Sequence, residues 1–218
     1  MGFKRTSLEI DAIILARRNS KRLKNKHHLS INGKKMISYT FESVIKSKLI
    51  KNCYCFTDDS KIQNIIKNKK IDFSVKRPNK ISGDKTSSEE TILYLLKILK
   101  KKKRLPKNFI LLQPTSPLRT VKFIDLAIRF FFKKSFTSLL SLKKIKNKVY
   151  NLKNKKCSSS KSMNYVSDGA IYICNTEYFL KNKKLISLNN GYIELPEKNN
   201  VDVDTLDDLN KVRKILKK

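Results

Sequence analysis

The stretch from Asp11 to His28 constrains the fold of this chain more than any other. It begins with a short apolar run, AIILA at residues 12–16, and then turns abruptly basic and polar. An apolar run that ends in such a switch is typical of a buried parallel strand leading into a loop at its carboxyl end. In open α/β sheets ligands bind at that edge. The sequence therefore predicts an α/β protein with a binding loop directly after its first strand.

This loop has the composition of an anion-binding loop. Its tight part contains Asn19 and Ser20, and its cations are Arg17, Arg18, Lys21, Arg22, Lys24 and Lys26. Small polar residues let backbone N–H groups turn toward an anion, and the cations supply positive charge. From the loop alone two interpretations stay open. It either wraps a triphosphate or is a solvated basic loop in a lysine-rich chain.

Strand and helix patterns alternate along the rest of the chain. Apolar spacing predicts strands over residues 53–56, 71–75, 108–112, 136–142 and 169–174, and helices over residues 34–47, 89–102, 121–133 and 205–216, with a further helix after residue 60. Such alternation favours parallel βαβ units and a doubly wound, mostly parallel sheet with helices on both faces. The exception is residues 143–164, which are basic and serine-rich with few large apolar side chains. This segment is either a disordered insert or an arm that a second subunit buries.

The high positive charge of the chain suggests a competing interpretation, namely that the protein is a basic nucleic-acid-binding protein. The net charge is +32, from 50 Lys and Arg against 18 Asp and Glu. Most of these cations are scattered, the one dense block (residues 100–104) ends a predicted helix, and no zinc-finger or aromatic RNA-binding pattern is present. We therefore favour compositional bias as the source of the charge, and expect no specific nucleic-acid partner.

Three features of the sequence indicate the cellular compartment of the protein. No apolar stretch approaches the ~20 residues that span a membrane. Residues 1–9 lack the apolar core of a signal peptide. The four cysteines match neither a zinc site nor a disulfide framework. We expect a cytoplasmic protein without a membrane partner.

Two late aspartates are candidate metal ligands. Asp202 and Asp204 are two residues apart in an extended stretch, so both carboxylates project to one side. Mg²⁺ binds such oxygen donors together with substrate phosphates. The alternative is a pair that caps the following helix, but Asp207 and Asp208 fit that role better. The pattern favours a metal site.

Two further loops follow predicted strands. The stretch QPTSPLRT, residues 113–120, holds two prolines that stiffen it, and it is either the edge of a site or simply a rigid turn. Ser87 and Ser88 lie where a helix is predicted to begin. They either cap that helix or bind a nucleotide, and Arg77 is placed to contact the same base.

Taken in order, these motifs resemble the acylneuraminate cytidylyltransferases, also called CMP-sialic acid synthetases, including the enzymes that activate legionaminic or pseudaminic acid. The matching strings are ILARRNSKRLKNK, TDD, RP, GDKTSS, LLQPTSPLR, DGAIYI and VDVDTLDDL, which together span nearly the whole chain. The QPTSPLR string separates this group from the CMP-Kdo synthetases, whose first loop is similar.

The resemblance implies a Rossmann-like nucleotidyltransferase fold over residues 1–218 as a single domain, with residues 143–168 as a dimerisation arm. It implies a homodimer that joins CTP and a nonulosonic (sialic-type) acid, giving a CMP-sugar and pyrophosphate with Mg²⁺. Such products feed the biosynthesis of cell-surface polysaccharides. The alternative within the fold is a CMP-Kdo-type or other sugar nucleotidyltransferase.

The resemblance also implies roles for individual residues. Arg17, Lys21 and Lys26 would act on the triphosphate, in a loop shaped by Asn19 and Ser20. The cytidine would lie near Arg77, Ser87 and Ser88. Gln113 and Thr115 would lie between nucleotide and sugar, and Asp202 and Asp204 would bind the metal.

The chain departs from the family pattern at several positions. His27 stands where asparagine is usual, Lys24 where proline is usual, and Val166 and Asp168 where arginine and asparagine often precede the GAIY string. The last departure affects the sugar pocket. Lys161 or Tyr165 would take the place of the missing arginine and asparagine in the sugar pocket.

Overall fold

A seven-stranded sheet forms the centre of the structure, a computed structural model that describes residues 8–144, 150–153, 156–159 and 164–217. The strands are β1 (Ile10–Ala16), β2 (Ser30–Ile31), β3 (Lys34–Lys35), β4 (Ile50–Thr57), β5 (Ile71–Asp72), β6 (Asn108–Leu111), β7 (Ser138–Lys144), β8 (Tyr150–Lys153), β9 (Lys156–Ser159), β10 (Tyr165–Asn175) and β11 (Asn190–Glu194). The helices are α1 (Met36–Lys46), α2 (Ser60–Gln63), α3 (Ser88–Lys101), α4 (Val121–Lys133), α5 (Thr176–Asn182) and α6 (Leu206–Leu216).

The strand order of the main sheet is β11-β7-β10-β6-β1-β4-β5. Strand β1 pairs in parallel with β4 and β6, and β10 runs antiparallel to both β6 and β7. The other six strands therefore run in one direction. Their carboxyl ends share one edge of the sheet, and β10 begins at that edge.

Helices cover both faces of this sheet. Ile10, Ala12 and Ile14 of β1 belong to the cluster that includes α1 and α4 side chains. Ile13 points the other way, into the cluster with α3 and α5. This alternation buries β1 on both faces, as its uninterrupted apolar sequence requires. The predicted doubly wound α/β class is confirmed.

Most predicted elements are present, with some shifted limits. Helix α4 has the predicted limits, and α3 and α6 lie within a residue of theirs. Helix α1 begins two residues late because Lys34 and Lys35 pair with β2 as a short hairpin. The strand predicted over residues 71–75 ends at Asp72, whose carboxylate accepts a hydrogen bond from the Ser74 backbone N–H at 2.6 Å and turns the chain. Strand β10 is longer than predicted, and the elements that were not predicted are α5, β2, β3, β8, β9 and β11.

The segment between β7 and β10 contains a separate antiparallel hairpin. Strands β8 and β9 pair with each other and form their own two-stranded sheet. Since β7 ends and β10 begins at the carboxyl edge of the main sheet, the hairpin is attached at that edge. No helix in the described part of the chain is long and apolar enough to cross a membrane.

Candidate active site

A cleft of about 390 Å³ lies at the carboxyl edge of the sheet. A volume of this size is within the range of small-molecule sites. Four segments line it: the loop after β1, the connection that leads into α3, the loop after β6, and the extended stretch before α6. The lining residues are Leu15, Arg17, Arg22, Lys26, His27, Arg77, Asp84, Thr86, Ser87, Ser88, Thr91, Gln113, Pro114, Thr115, Asp202 and Asp204.

The polar end of β4 holds the loop after β1 in place. The Arg18 backbone N–H donates to the Asp58 carboxylate at 2.7 Å, and His28 Nε2 lies 2.6 Å from Asp59 Oδ2. Asn25 adopts a left-handed conformation with φ of 50° and starts the single turn that follows. Asparagine tolerates this conformation better than most residues. These contacts fix the ends of the loop and present its cations to the cleft.

Four cations of this loop are paired with acids. The Asp84 carboxylate forms ion pairs with Arg17 at 2.7 Å and with Lys21 at 3.1 Å, and these cations lower the pKa of its carboxyl group. The Asp204 carboxylate forms ion pairs with Arg22 at 2.6 Å and with Lys26 at 2.8 Å. The Lys26 side chain is only 12% exposed, whereas that of Lys21 is 81% exposed and is not among the residues that line the cleft. An anionic ligand would compete with these two acids for the same cations.

The extended stretch before α6 brings two carboxylates into the cleft. The Val203 backbone N–H donates to the Thr115 carbonyl at 2.8 Å and ties this stretch to the loop after β6. Val203 is fully buried in the core, so its neighbours Asp202 and Asp204 face the cleft. Asp208 forms the capping box of α6 with Thr205, accepting its backbone N–H at 2.8 Å. The structure thus leaves Asp202 and Asp204 outside the capping role.

Asp202 is the more buried member of this pair. Burial raises the pKa of its carboxyl group, and the charge of Asp204 acts in the same direction. The nearby Thr115 hydroxyl partly opposes that effect, but the two groups make no hydrogen bond of normal geometry. Within the described residues, Asp202 Oδ1 and Thr115 Oγ1 are both enclosed and without a hydrogen-bond partner.

This donor set fits a divalent cation. Two adjacent carboxylates, one with an unpaired enclosed oxygen, suit Mg²⁺, which is commonly held by one or two carboxylates together with phosphate oxygens and water. No group of three or more potential metal-binding His, Cys, Asp or Glu side chains occurs in the described ranges. A metal here would therefore take its remaining ligands from a phosphate-bearing substrate and from water.

Arg119 fixes the loop after β6. Its side chain is 2% exposed and donates to the carbonyls of Gln113 and Ala170 at 3.0 and 2.8 Å, and to Thr40 Oγ1 at 3.0 Å. Burial lowers its pKa, but a guanidinium remains protonated at neutral pH. One buried cation thereby joins the loop to β10 and α1. This holds Gln113 at the mouth of the cleft.

Gly169 of β10 leaves room for the Gln113 side chain beside it. It has φ of +76°, and a Cβ atom built on it would lie 3.0 Å from Gln113 Oε1 and 3.8 Å from Asp202 Oδ2. Both the left-handed conformation and the short distance to Gln113 disfavour any side chain at this position.

The connection that leads into α3 forms another wall of the cleft. Arg77 is 6% exposed and donates twice to the Ile81 carbonyl, from Nε at 3.0 Å and Nη2 at 2.6 Å. Ser87 caps α3, accepting the Glu90 backbone N–H at 3.0 Å, so the capping interpretation of this residue is confirmed. Ser88 begins the helix, whose N-terminus adds partial positive charge at the cleft.

Some residues predicted for the site lie elsewhere. Asn19 lines a neighbouring groove with Arg18 and Asp58, and Ser20 does not line the cleft. Tyr165 lies beside Tyr192, with ring centroids 6.5 Å apart. Lys161 is outside the described residues.

Other cleft residues were not predicted as site residues: Leu15, Arg22, His27, Asp84, Thr86, Thr91 and Pro114. The sequence signal for several of them was their place inside the basic loop or the GDKTSS string.

A doubly wound sheet whose carboxyl edge carries a basic loop, a stiff proline-containing loop and paired carboxylates is typical of α/β proteins that bind nucleotides. A model of the family described as cytidylyltransferase matches residues 12–199, and the chain belongs to this family. The family resemblance drawn from the motifs is confirmed.

Individual relatives agree with this assignment. The N-acylneuraminate cytidylyltransferase of Escherichia coli O18:K1:H7 is 27% identical over 212 residues, which cover 90% of this chain and 49% of that protein. The pseudaminic acid cytidylyltransferase of Campylobacter jejuni is 24% identical over 90% of this chain and 91% of that protein. This chain thus spans about half the length of the N-acylneuraminate cytidylyltransferases that it matches.

A solved structure shows the fold independently. The structure of CMP:2-keto-3-deoxy-manno-octonic acid synthetase complexed with CTP matches with a TM-score of 0.69, over 96% of this chain and 98% of that one. The sequence identity is 18%, so this similarity concerns the fold alone. The predicted nucleotidyltransferase fold is confirmed.

Proposed function

We propose that this chain transfers CMP from CTP to a nonulosonic acid and releases pyrophosphate. The observation that carries the proposal is the convergence of four chain segments on one cleft, where the loop cations meet the carboxylates of Asp202 and Asp204. Membership of the cytidylyltransferase family supports CTP as the nucleotide. The names of the relatives, which refer to N-acylneuraminic and pseudaminic acid, support the sugar class.

The cations of the first loop would receive the triphosphate. Arg17, Lys21 and Lys26 are now paired with Asp84 and Asp204, and phosphate oxygens would replace these acids as partners. In the reaction they would neutralise the negative charge that grows on the leaving pyrophosphate. Phosphoryl transfer depends mainly on such positioning and electrostatic stabilisation.

The remaining residues would orient the two reactants. Arg77 and the Ser87–Ser88 turn would contact the cytidine, and Gln113 and Thr115 would lie between nucleotide and sugar. The anomeric hydroxyl of the sugar would attack the α-phosphorus in line and lose its proton to water, as the bond from that phosphorus to the pyrophosphate oxygen breaks. Asp202 and Asp204 would hold Mg²⁺, which supplies positive charge beside the phosphate oxygens and lowers the pKa of the attacking hydroxyl.

We further propose that the chain acts as a homodimer through residues 143–168. The β8–β9 hairpin is attached at the edge of the sheet where the cleft lies. Val166 of β10 and Tyr192 of β11 are 39% and 54% exposed. A symmetric dimer would bury both copies of this arm reciprocally. Because CTP is a cytoplasmic metabolite, we place the reaction in the cytoplasm.

The proposal is tested by pyrophosphate release. Purified protein is incubated with Mg²⁺, one nucleotide and one acid from a panel of nonulosonic acids and Kdo. We expect release with CTP and at least one nonulosonic acid, much slower release with UTP or ATP, and none without sugar. Equal rates with all three nucleotides would show that the nucleotide assignment is wrong. Release with Kdo alone would assign the sugar class differently.

A further inference from the structure

The connection between α5 and β11 presents two aliphatic side chains to solvent. Its side chains alternate, because Leu185 and Ser187 are buried whereas Ile186 and Leu188 are exposed. The exposed fractions of the latter two are 48% and 108%, so Leu188 is as open as in an extended peptide. Alternation of this kind indicates an extended chain that turns one side to the protein and the other to water.

Buried neighbours fix this extended stretch in place. Leu185 packs into the apolar cluster that includes α3 and α5 side chains. The Ser187 backbone N–H donates to Ser138 Oγ at 2.8 Å, and the Tyr178 hydroxyl of α5 donates to the Ile186 carbonyl at 3.1 Å. The fold itself therefore holds the two aliphatic side chains in contact with solvent.

The surface beside this aliphatic pair is basic. Exposed lysines occur in both chain segments that meet here: Lys133, Lys134, Lys181, Lys183 and Lys184. The segments touch where the Asn189 side chain donates to the Ser135 carbonyl at 3.1 Å. Residues 126–137 and 178–193 contain no Asp or Glu that would offset these charges. The lysines and the aliphatic pair together form one patch.

A groove of about 560 Å³ opens beside Leu188 in this patch. Lys181 and Lys184 line it together with neutral polar side chains, among them Thr137 and Asn182. Ammonium groups and neutral N–H or O–H donors suit the phosphate of a lipid headgroup, which is anionic and rich in acceptor oxygens. The groove thus offers a place for a headgroup next to a side chain that prefers an apolar phase.

The patch and the cleft lie at opposite edges of the sheet. Asn190, the first residue of β11, pairs with Ser138, the first residue of β7, so the stretch before Asn190 lies at the amino ends of these strands. The cleft lies at the carboxyl ends. A surface that binds the patch therefore does not cover the cleft.

We propose that the patch is a docking surface for membranes that contain anionic lipids. Basic residues beside exposed apolar side chains are typical of segments that bind at a lipid–water interface, where the apolar groups enter the headgroup region and the cations meet lipid phosphates. A nucleic acid would match the lysines but would leave the aliphatic pair without a partner. The two features together favour a lipid surface.

The proposed contact is peripheral. It is compatible with the lack of a membrane-spanning helix in the described part of the chain, and the expectation of no membrane partner rested on the lack of such a segment. The inference does not depend on the proposed reaction, because it concerns a different surface of the protein.

Vesicle sedimentation tests the docking surface. The purified chain is mixed with vesicles of phosphatidylcholine, with or without phosphatidylglycerol. We expect the protein to sediment with the anionic vesicles at low salt and not with phosphatidylcholine alone. Binding should be lost at about 0.5 M salt, because ions then screen the lysines from the lipid phosphates.

Variants with matched controls separate the patch from the general charge of the chain. Leu188→Ser changes no charge and should raise the dissociation constant for anionic vesicles about 10-fold. The double change Lys181→Gln and Lys184→Gln should raise it about 10-fold or more. The controls are Leu126→Ser, at an exposed leucine of α4, and the double change Lys211→Gln and Lys214→Gln on α6, which packs with β2 and α1. Each control should change the constant by less than about 2-fold, because charges away from the bilayer are screened.

Several results would overturn the docking surface. One is the absence of binding to anionic vesicles at low salt. Another is an equal loss in the patch variants and their controls, which would show that the net charge of the chain binds vesicles without a defined surface. If Leu188→Ser alters the molecular mass measured by light scattering and leaves vesicle binding unchanged, the patch is a contact between copies of the chain. Failure of pyrophosphate release would overturn the proposed function and leave this inference standing.

Discussion

The burial of His27 makes the stability of the protein depend on pH by an amount that follows from the structure. On folding, its pKa falls from 6.5 to about 3, because the 7% exposed side chain cannot hydrate a charge. Below pH 6.5 the unfolded chain therefore binds a proton that the folded chain does not bind until about pH 3. Stability is lost as the pH falls through this window. Between pH 8 and pH 5 the loss from His27 amounts to about 2 kcal/mol.

Urea unfolding at pH 8 and pH 5 measures this loss. A pH of 5 is still well above the pKa of His27 in the folded state, so His27 remains neutral there. The loss of stability is therefore determined by protonation of His27 in the unfolded chain, and it does not depend on how far folding lowers the pKa. The His27→Asn variant should lose about 2 kcal/mol less than the unaltered protein between the two pH values. Ile31→Val, a fully buried and non-titrating change in β2, is the matched control, and should lower stability equally at both. If His27→Asn and the unaltered protein lose the same stability, His27 is not buried in a neutral form.

Three further predictions follow from the site and the arm. Asp202→Asn should lower turnover about 100-fold or more without lowering the melting temperature, because the metal would lose a buried ligand oxygen. The control is the exposed Asp207→Asn, and near-normal turnover of Asp202→Asn at limiting Mg²⁺ would exclude the metal role. Arg119→Met should lower the free energy of unfolding in urea by about 3–5 kcal/mol, because three hydrogen-bond acceptors lose their donor. The exposed Arg129→Met should leave this free energy nearly unchanged, and an equally small effect at Arg119 would refute its bridging role. Deletion of residues 146–156 should give monomers by light scattering and lower turnover. A fully active monomer of the intact chain at micromolar concentration would contradict the shared dimer.

Much of the site was predictable because local patterns and one topological rule determine it. The apolar run of β1 and the switch after Ala16 place the basic loop at the carboxyl end of a strand. The same holds for the loop after β6, and parallel strands bring such ends to one edge. The spacing of Asp202 and Asp204 and the capping role of Asp208 are also local, and both are present in the structure.

The rest depended on pairings between distant parts of the chain. The direction of β10 follows from its registers with β6 and β7, which no local pattern specifies. Strand β11 buries only Gly191 and Ile193 on one side, a signal too short to recognise. Arg119 contacts Ala170 and Thr40, which are 51 and 79 positions away from it in the sequence. Its bridging role was therefore not visible in the QPTSPLR string. The enclosure of His27 likewise arises only when the loop folds against the end of β4.

Transfer of CMP to a sugar is tested most directly by the product of the reaction. Phosphorus NMR of a mixture of the protein, CTP, Mg²⁺ and a nonulosonic acid follows all three phosphates of the nucleotide. We predict that the triphosphate resonances disappear while a single phosphodiester resonance and pyrophosphate appear in equal molar amounts. Conversion of CTP to CMP or CDP, or an unchanged triphosphate with every acid in the panel, would contradict transfer of CMP to a sugar in this cleft.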